Sequence, residues 1–269
     1  MTEVSVATWN LHQAMDRRPA NMAATQRFLE DEIRPTVALL QEVAVGSETA
    51  LGPFFNQAGE LPYGTAVVAY QGKLEPLPEV TTRYSATTAF QISPRVPGTF
   101  AAARVVDLPG VEPFVAISLY GRMAPLYAQT SVLRAVADLV PLFDAPQLNR
   151  RIVIGGDLNV YDQTDDQVMR RRWEAILALI DSLGLVNLLK QTQPARGPLP
   201  DCPCKGPGCW HVETFRHRNR PADRPGFFTT DYLFASPDLA SRLSRLEVVG
   251  RQEAWELSDH CPVVAHFDL

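Results

Sequence analysis

The chain opens and closes on β-like patterns. "VSVATW" near the amino end and "TVALLQE" after it are runs of β-branched and apolar residues and predict two strands. Between them Met22, Leu29 and Ile33 fall on one helical face. Pro35 closes that helix, because proline has no backbone N–H and disfavours a helical residue before it. The middle of the chain changes period. "TAVVAY", "ATTAFQI", "TFAAARVVDL" and "EPFVAISLY" are short runs separated by Gly and Pro, the pattern of a meander. Val132, Leu133, Val136, Leu139 and Val140 then predict an apolar helical stripe ended by Pro141. "RIVIGGDLNV" predicts a buried strand running into a polar turn, and Trp173, Ile176, Leu177, Ile180 and Leu183 predict a helix with Gly184 at its C-terminal end. "TTDYLFAS" and "RLEVVGRQ" are further strands, and Val263, Val264, Ala265 and Phe267 carry the last one. No repeat and no linker interrupts this order. Residues 192–226 are rich in Pro, Arg and Cys and predict one long decorated loop. The expectation is a single α/β domain over 1–269, with many strands and few helices.

Composition narrows the classes. With 269 residues, 46% of them hydrophobic, the chain can bury a sizeable core. A net charge of -5 argues against a broad basic face for nucleic acid, though not against a local basic cleft. Arginine carries the positive charge (Lys73, Lys190 and Lys205 are the lysines), and arginine suits phosphate. No apolar run is long enough to span a bilayer, and no basic-then-apolar leader follows Met1. The four cysteines are mostly clustered rather than dispersed as a disulfide framework, so a reduced, cytoplasmic location is expected.

The polar residues stand at strand ends. Asn10 ends the first strand, Glu42 the second, and Asp157 and Asn159 a third; Asp231 interrupts an apolar strand, and Asp259 and His260 begin the last. Taken singly, each has a structural explanation: "GDLN" is a turn composition, "QE" a strand end reaching solvent, and "SD" a loop cap. Taken together they point to chemistry. Ligands of α/β sheets collect where strand ends meet. Buried carboxylates are costly unless paired or bound to a cation, and several of them on one site repel. A divalent ion resolves that repulsion, and oxygen donors suit Mg²⁺ or Mn²⁺.

"TWNLH", "LLQEV", "GGDLN", "TTDYLFAS" and "LSDH", in this order, resemble the motifs of the endonuclease/exonuclease/phosphatase superfamily. That group includes DNase I-like nucleases, abasic-site endonucleases, tyrosyl-DNA phosphodiesterases, inositol polyphosphate 5-phosphatases and neutral sphingomyelinases. The resemblance runs from Asn10 to His260. It implies an α/β four-layer sandwich, DNase I-like, with two packed mixed β-sheets flanked by helices. It also implies hydrolysis of a phosphate ester assisted by Mg²⁺ or Mn²⁺. Carried over motif by motif, Glu42 is the principal metal ligand, with Asn10 beside it. Asp157 positions or deprotonates the attacking water, and Asn159 orients water and phosphate. His260 contacts the scissile phosphate, Asp231 holds the His260 ring, and Asp259 completes the metal or water shell. Asp231 rather than Asp259 is the expected partner of His260, because adjacent side chains of a strand point to opposite faces. Tyr120, in "ISLYGR", lies near a position where relatives carry a phosphate-touching His or Tyr. Arg122 is either an added phosphate contact or a surface arginine.

Three features depart from or add to that pattern. His12 stands where several relatives have an acid; it is an exposed imidazole or a nitrogen ligand favouring Mn²⁺ or another transition metal. In "DCPCKGPGCWHVETFRH", Cys202, Cys204, Cys209 and His211 can bind a structural Zn²⁺, although one-residue gaps are tighter than usual. A Cys202–Cys209 disulfide and free thiols are the alternatives. Cys261 reads as a buried apolar thiol. "FRHRNRPADR" carries Arg216, Arg218, Arg220 and Arg224, which suit a nucleic-acid backbone, a phosphorylated small molecule or a solvated loop. By analogy with the family, the expected activity is a nuclease or phosphodiesterase on nucleic acid. The alternatives are a phosphomonoesterase on an inositol or nucleotide phosphate, and a non-catalytic scaffold. The joint presence of the acids, Asn159 and His260 speaks against the scaffold.

Overall fold

Alternation along the first strand, β1 (Glu3–Asn10), divides two apolar clusters. Val4 and Val6 enter the cluster shared with the second sheet, whereas Ala7 and Trp9 enter a cluster against helices. The next strand, β2 (Val37–Ala44), does the same with Val37 and Leu39 against Ala38 and Leu40. Both faces of these strands are covered, which is why their sequences are near-continuous apolar runs.

The computed structural model describes the chain apart from residues 1, 15–18, 47–53, 82–88, 146, 147, 149, 162, 165, 197–201, 203–207 and 218–227. β1 and β2 join β3 (Phe54–Gln57), β4 (Tyr63–Ala69), β11 (Leu243–Val248) and β12 (Val263–Asp268) in a six-stranded sheet ordered β11-β12-β1-β2-β4-β3. The second six-stranded sheet contains β5 (Lys73–Glu75), β6 (Phe100–Val106), β7 (Phe114–Leu119), β8 (Ile152–Asp157), β9 (Val186–Asn187) and β10 (Asp231–Ala235), ordered β5-β6-β7-β8-β10-β9. Each sheet is mixed: β1 runs parallel to β2, and β7 to β8, within otherwise antiparallel ladders. Helix α1 (Pro19–Arg27), the π-helical turn Phe28–Ile33 and α6 (Gln252–Leu257) cover the outside of the first sheet through Phe28, Leu29 and Ala254. Helices α2 (Ala128–Phe143) and α3 (Gln167–Ser182) bring Val132, Val136, Trp173 and Ile176 to the second, alongside α4 (Leu188–Arg196) and α5 (Pro237–Ala240). The result is the four-layer sandwich with helices outside. Among the described residues no helix is long and apolar enough to cross a membrane.

Some elements differ from the sequence pattern. Pro141 lies inside α2 rather than ending it. Its carbonyl accepts from the Asp144 N–H, and buried Leu142 and Phe143 hold the last turn. Leu133 is off the stripe and exposed; Ala135 takes its place. Residues 192–226 are not all loop, since α4 continues to Arg196. Of "ATTAFQI", residues 86–88 lie outside the described residues, and the rest forms no strand, only a single bridge from Phe90 to Val80. The short β3, β5 and β9 were missed because edge strands carry little apolar pattern. Gly184 caps α3 as expected, at φ +80° with its N–H on Asp181.

The glycine pair of β8 has a steric cause. A Cβ on Gly156 would sit 1.6 Å from the Leu119 carbonyl oxygen, and one on Gly121 would sit 2.0 Å from that of Leu158. The ends of β7 and β8 therefore approach more closely than any side chain permits. Gly156→Ala is expected to destabilise the protein by more than about 3 kcal/mol in a denaturant titration. Gly250→Ala, whose Cβ would meet only Trp255 Nε1 at 3.7 Å, should shift stability by no more than about 1 kcal/mol. Equal unfolding midpoints for the two variants would refute the close approach.

Candidate active site

The carboxyl ends of β1, β2, β7 and β8 and the amino ends of the antiparallel β10 and β12 meet at one end of the sandwich. Polar pairs cross from one sheet to the other there. Asn10, the last residue of β1, donates its Nδ2 to Asp157 Oδ2 at 2.9 Å. Tyr120, just past β7, donates its hydroxyl to Glu42 Oε1 at 2.7 Å. Nδ1 of His260, just before β12, lies 2.9 Å from Oδ2 of Asp231, the first residue of β10. A layer deeper, Gln41 Nε2 donates to Ser118 Oγ, which donates to the Leu40 carbonyl.

Local turns fix these side chains. At the end of β1 the N–H of His12 donates to Asn10 Oδ1 at 2.9 Å. At the end of β8 the N–H of Asn159 donates to Asp157 Oδ1 at 2.8 Å. Both are side-chain-closed turns, with His12 and Asn159 in the left-handed region at φ +54° and +51°. Asn159 also donates its Nδ2 to Asp157 Oδ2. Before β12, the N–H of His260 donates to Ser258 Oγ, and Ser258 donates to the Asn10 carbonyl. Glu42 owes its direction to a bulge. Strict alternation would turn it outward with Ala38 and Leu40. The ladder with β4 instead shifts register between Leu40 and Val43, Glu42 takes φ +52°, and its carboxylate reaches Tyr120.

The electrostatics follow from burial and register. Asp157 and Asp231 are direct cross-strand partners, both fully buried. His260 pairs with Asp231 and brings its Nε2 to 3.8 Å from Asp157 Oδ2. Burial pushes the Asp157 carboxyl up to about 7 against the lowering pull of His260, with Asp231 adding to the rise. Burial opposes charge on His260, but Asp231 and Asp157 outweigh it and raise the imidazolium to about 10. Burial, then the Glu42 and Asp157 charges, hold the Tyr120 hydroxyl well above its ordinary value, so it stays a proton donor. Glu42 Oε2 is buried without a hydrogen-bond partner, as is Asp231 Oδ1. Such an oxygen is costly unless a cation joins it, and oxygen donors fit a hard divalent ion. Asp157, Asp231 and His260 also hold ligand-type atoms within 4.8 Å of one another. Because Asp157 Oδ2 already takes two amide donors, the oxygen left for an ion is Glu42 Oε2, with Asp231 Oδ1 second.

Oδ1 of Asp259 lies 2.9 Å from Nδ1 of His12, which is neither an exposed imidazole nor unpaired. Arg122 is buried rather than on the surface, with Nη1 on the Pro97 carbonyl. Arg216 is engaged by both oxygens of Glu213, and its guanidinium lies 4.1 Å above the Trp255 ring. Arg218, Arg220 and Arg224 lie outside the described residues, as does Cys204. Cys202, Cys209 and His211 come together away from the acids, without a disulfide between the two cysteines. Cys261 is fully buried, and burial raises its thiol well above the usual range.

The supporting residues escaped the sequence. Trp9 Nε1 donates to the His260 carbonyl, Phe215 lies against the His260 ring at 4.8 Å, and Thr214 Oγ1 accepts from the N–H groups of Thr230 and Asp231. Thr230 Oγ1 donates to Asp231 Oδ2. Only the adjacency of Trp9 to Asn10, Ser258 to His260 and Thr230 to Asp231 signalled them.

The Endonuclease/Exonuclease/phosphatase family model matches residues 7–260. No curated protein matches the chain. Among solved structures, it resembles the AP endonuclease LMAP from Leishmania major with a TM-score of 0.66 at 15% identity, covering 99% of this chain and 88% of that one. It resembles the 3′-5′ exonuclease NExo from Neisseria meningitidis with a TM-score of 0.62 at 20% identity, over 99% and 100% of the two chains. A structure of the 3′ phosphatase NExo from Neisseria bound to product DNA hairpin gives 0.62 at 19% identity and the same coverage. The family match runs from β1 to His260, through every strand end that contributes to the cluster, on a sandwich those structures share. The chain therefore belongs to the endonuclease/exonuclease/phosphatase family.

Proposed function

We propose that this protein is a phosphoesterase dependent on Mg²⁺ or Mn²⁺ that hydrolyses phosphodiester bonds of nucleic acid. The observation that carries the reading is the fully buried Asp157, held by Asn10 and Asn159 and facing His260, whose other nitrogen meets Asp231. Asp157, with its carboxyl near neutrality, takes a proton from the water that attacks phosphorus. Asn159 orients that water and a phosphate oxygen. His260, an imidazolium at neutral pH, faces the charge that grows as the bond to the leaving oxygen breaks. Asp231 fixes the ring and its tautomer, and Tyr120 holds Glu42 in place. Glu42, with Asn10 beside it, would hold a divalent ion, which when bound would further neutralise phosphate charge. Asp259, tied to His12, belongs to the rim of this centre.

Nucleic acid is favoured as substrate because the structural relatives are an AP endonuclease and a 3′-5′ exonuclease. A second reading, a phosphomonoester at a DNA end, is favoured by the 3′ phosphatase structure with its product DNA hairpin. A panel of single-strand DNA, duplex DNA, abasic duplex, RNA, 5′-tyrosyl DNA, 3′-phosphorylated DNA and inositol phosphates separates them, with Asp157→Ala as control. Diester cleavage that Asp157→Ala abolishes is the expected result. Turnover of monoesters alone would replace the first reading by the second, and no turnover with either metal would leave a non-catalytic scaffold.

Chelation with EDTA should abolish activity, and Mg²⁺ or Mn²⁺ should restore it. Glu42→Ala should raise the metal concentration needed for half-maximal rate. Activity that survives thorough chelation would exclude the mechanism.

His260→Gln should lower kcat by roughly two to four orders of magnitude. Asp231→Asn should cost less, since the ring is misoriented rather than removed. Steady-state kinetics on folded variants decide this. A larger loss for Asp231→Asn would assign Asp231 a direct part in the chemistry.

A further inference from the structure

The loop after α4 holds a second cluster that hydrolysis does not use. Cys202, Cys209 and His211 are all buried, and their ligand-type atoms lie within 4.8 Å of one another. Both sulfurs approach the same ring nitrogen. Nδ1 of His211 is 3.3 Å from Cys202 Sγ and 3.4 Å from Cys209 Sγ. One imidazole nitrogen offers a single hydrogen-bonding direction, as donor or acceptor, so two thiols cannot both be well bonded to it. Two sulfurs and a nitrogen around a common centre are instead what a tetrahedral cation collects. With Zn–S near 2.3 Å and Zn–N near 2.0 Å, the expected S···N separation is about 3.5 Å. The observed distances are 3.3 and 3.4 Å.

The surroundings agree. Cys202 and Cys209 form an apolar cluster of their own, separate from the two cores. Gln163 directs its Nε2 at Cys202 Sγ at 3.8 Å, the kind of outer donor that supports a thiolate ligand. The same side chain accepts from the N–H of Thr229 at 2.7 Å. Thr229 Oγ1 is bonded to both the N–H and the carbonyl of Val212, next to His211. Thr229 is two residues ahead of Asp231.

We propose that Cys202, Cys209 and His211 are ligands of a structural Zn²⁺ that pins this loop beside the start of β10. Cys204, the fourth member of the sequence cluster, lies outside the described residues, and the proposal rests on the other three. Binding converts the two thiols to thiolates and releases their protons. The site is independent of the hydrolytic centre and of its metal.

The test uses the full chain, purified with reductant from zinc-supplemented medium and dialysed against EDTA. Elemental analysis should find about one zinc per chain. X-ray absorption at the zinc edge should show sulfur at about 2.3 Å and nitrogen at about 2.0 Å. Cys209→Ser and His211→Gln should each lose the zinc. Should either fail to fold, Co²⁺ exchanged into the wild-type chain should give the visible bands of a tetrahedral ion and thiolate charge-transfer absorption. Gln163→Ala should keep the metal but bind it about tenfold more weakly in chelator competition. Zinc-free protein with freely titrating thiols, zinc with only nitrogen and oxygen neighbours, or a Cys202–Cys209 disulfide would each overturn the proposal.

Discussion

Asp157 has no surface in contact with solvent, and an anion there is tolerable only through its neighbours. Its two oxygens take an N–H from the Asn159 backbone and one each from the Asn10 and Asn159 amides. Asn10 belongs to one sheet and Asp157 to the other, so the need to satisfy one carboxylate fixes how the ends of β1 and β8 meet. Asp231, opposite it in the ladder, adds a second buried negative charge. The His260 ring lies within reach of both carboxylates, which fixes the entry of β12 as well. The glycines at 121 and 156 belong to the same demand, since they let β7 close on β8 and bring Tyr120 toward the acids.

The frame was legible in the sequence where strands are covered on both faces. β1, β2, β7, β8 and β10 are near-continuous apolar runs, and an Asn, Glu or Asp at their ends stands out against that background. Half-exposed edge strands such as β3 and β5 offer no such contrast. Helix ends were less legible than helix bodies: α2 carries Pro141 inside it and runs on to Phe143, where buried Leu142 and Phe143 hold its last turn. The direction of Glu42 was illegible for a different reason. Period-two alternation turns it away from the site, and only the bulge, a property of the pairing with β4, turns it back. The bonds of Trp9 to His260 and of Ser258 to Asn10 join positions nearly the whole chain apart, and no local pattern encodes them. For Arg216, a local signal existed: Glu213 three residues earlier, which takes its guanidinium.

The site also concentrates backbone strain. His12, Glu42 and Asn159 all adopt left-handed conformations, at about 1–2 kcal/mol each for residues other than glycine. Asparagine tolerates this region; histidine and glutamate do so less readily. Glycine would relieve the strain at each position, and would remove an imidazole, a carboxylate or an amide from the cluster. The chain thus gives up local stability at residues of this cluster, and the apolar layers beneath offset the loss.

The pairing of β1 with β12 has a consequence for how activity arises during synthesis. These are the first and last strands in chain order, and the second sheet assembles from segments between them. Asn10 is synthesised before Asp157, and His260 after both. A nascent chain that has formed only the second sheet holds Asp157 opposite Asp231, with neither the Asn10 amide nor the His260 ring beside them. The full set of partners around Asp157 and Asp231 is therefore complete only once β12 has docked on β1.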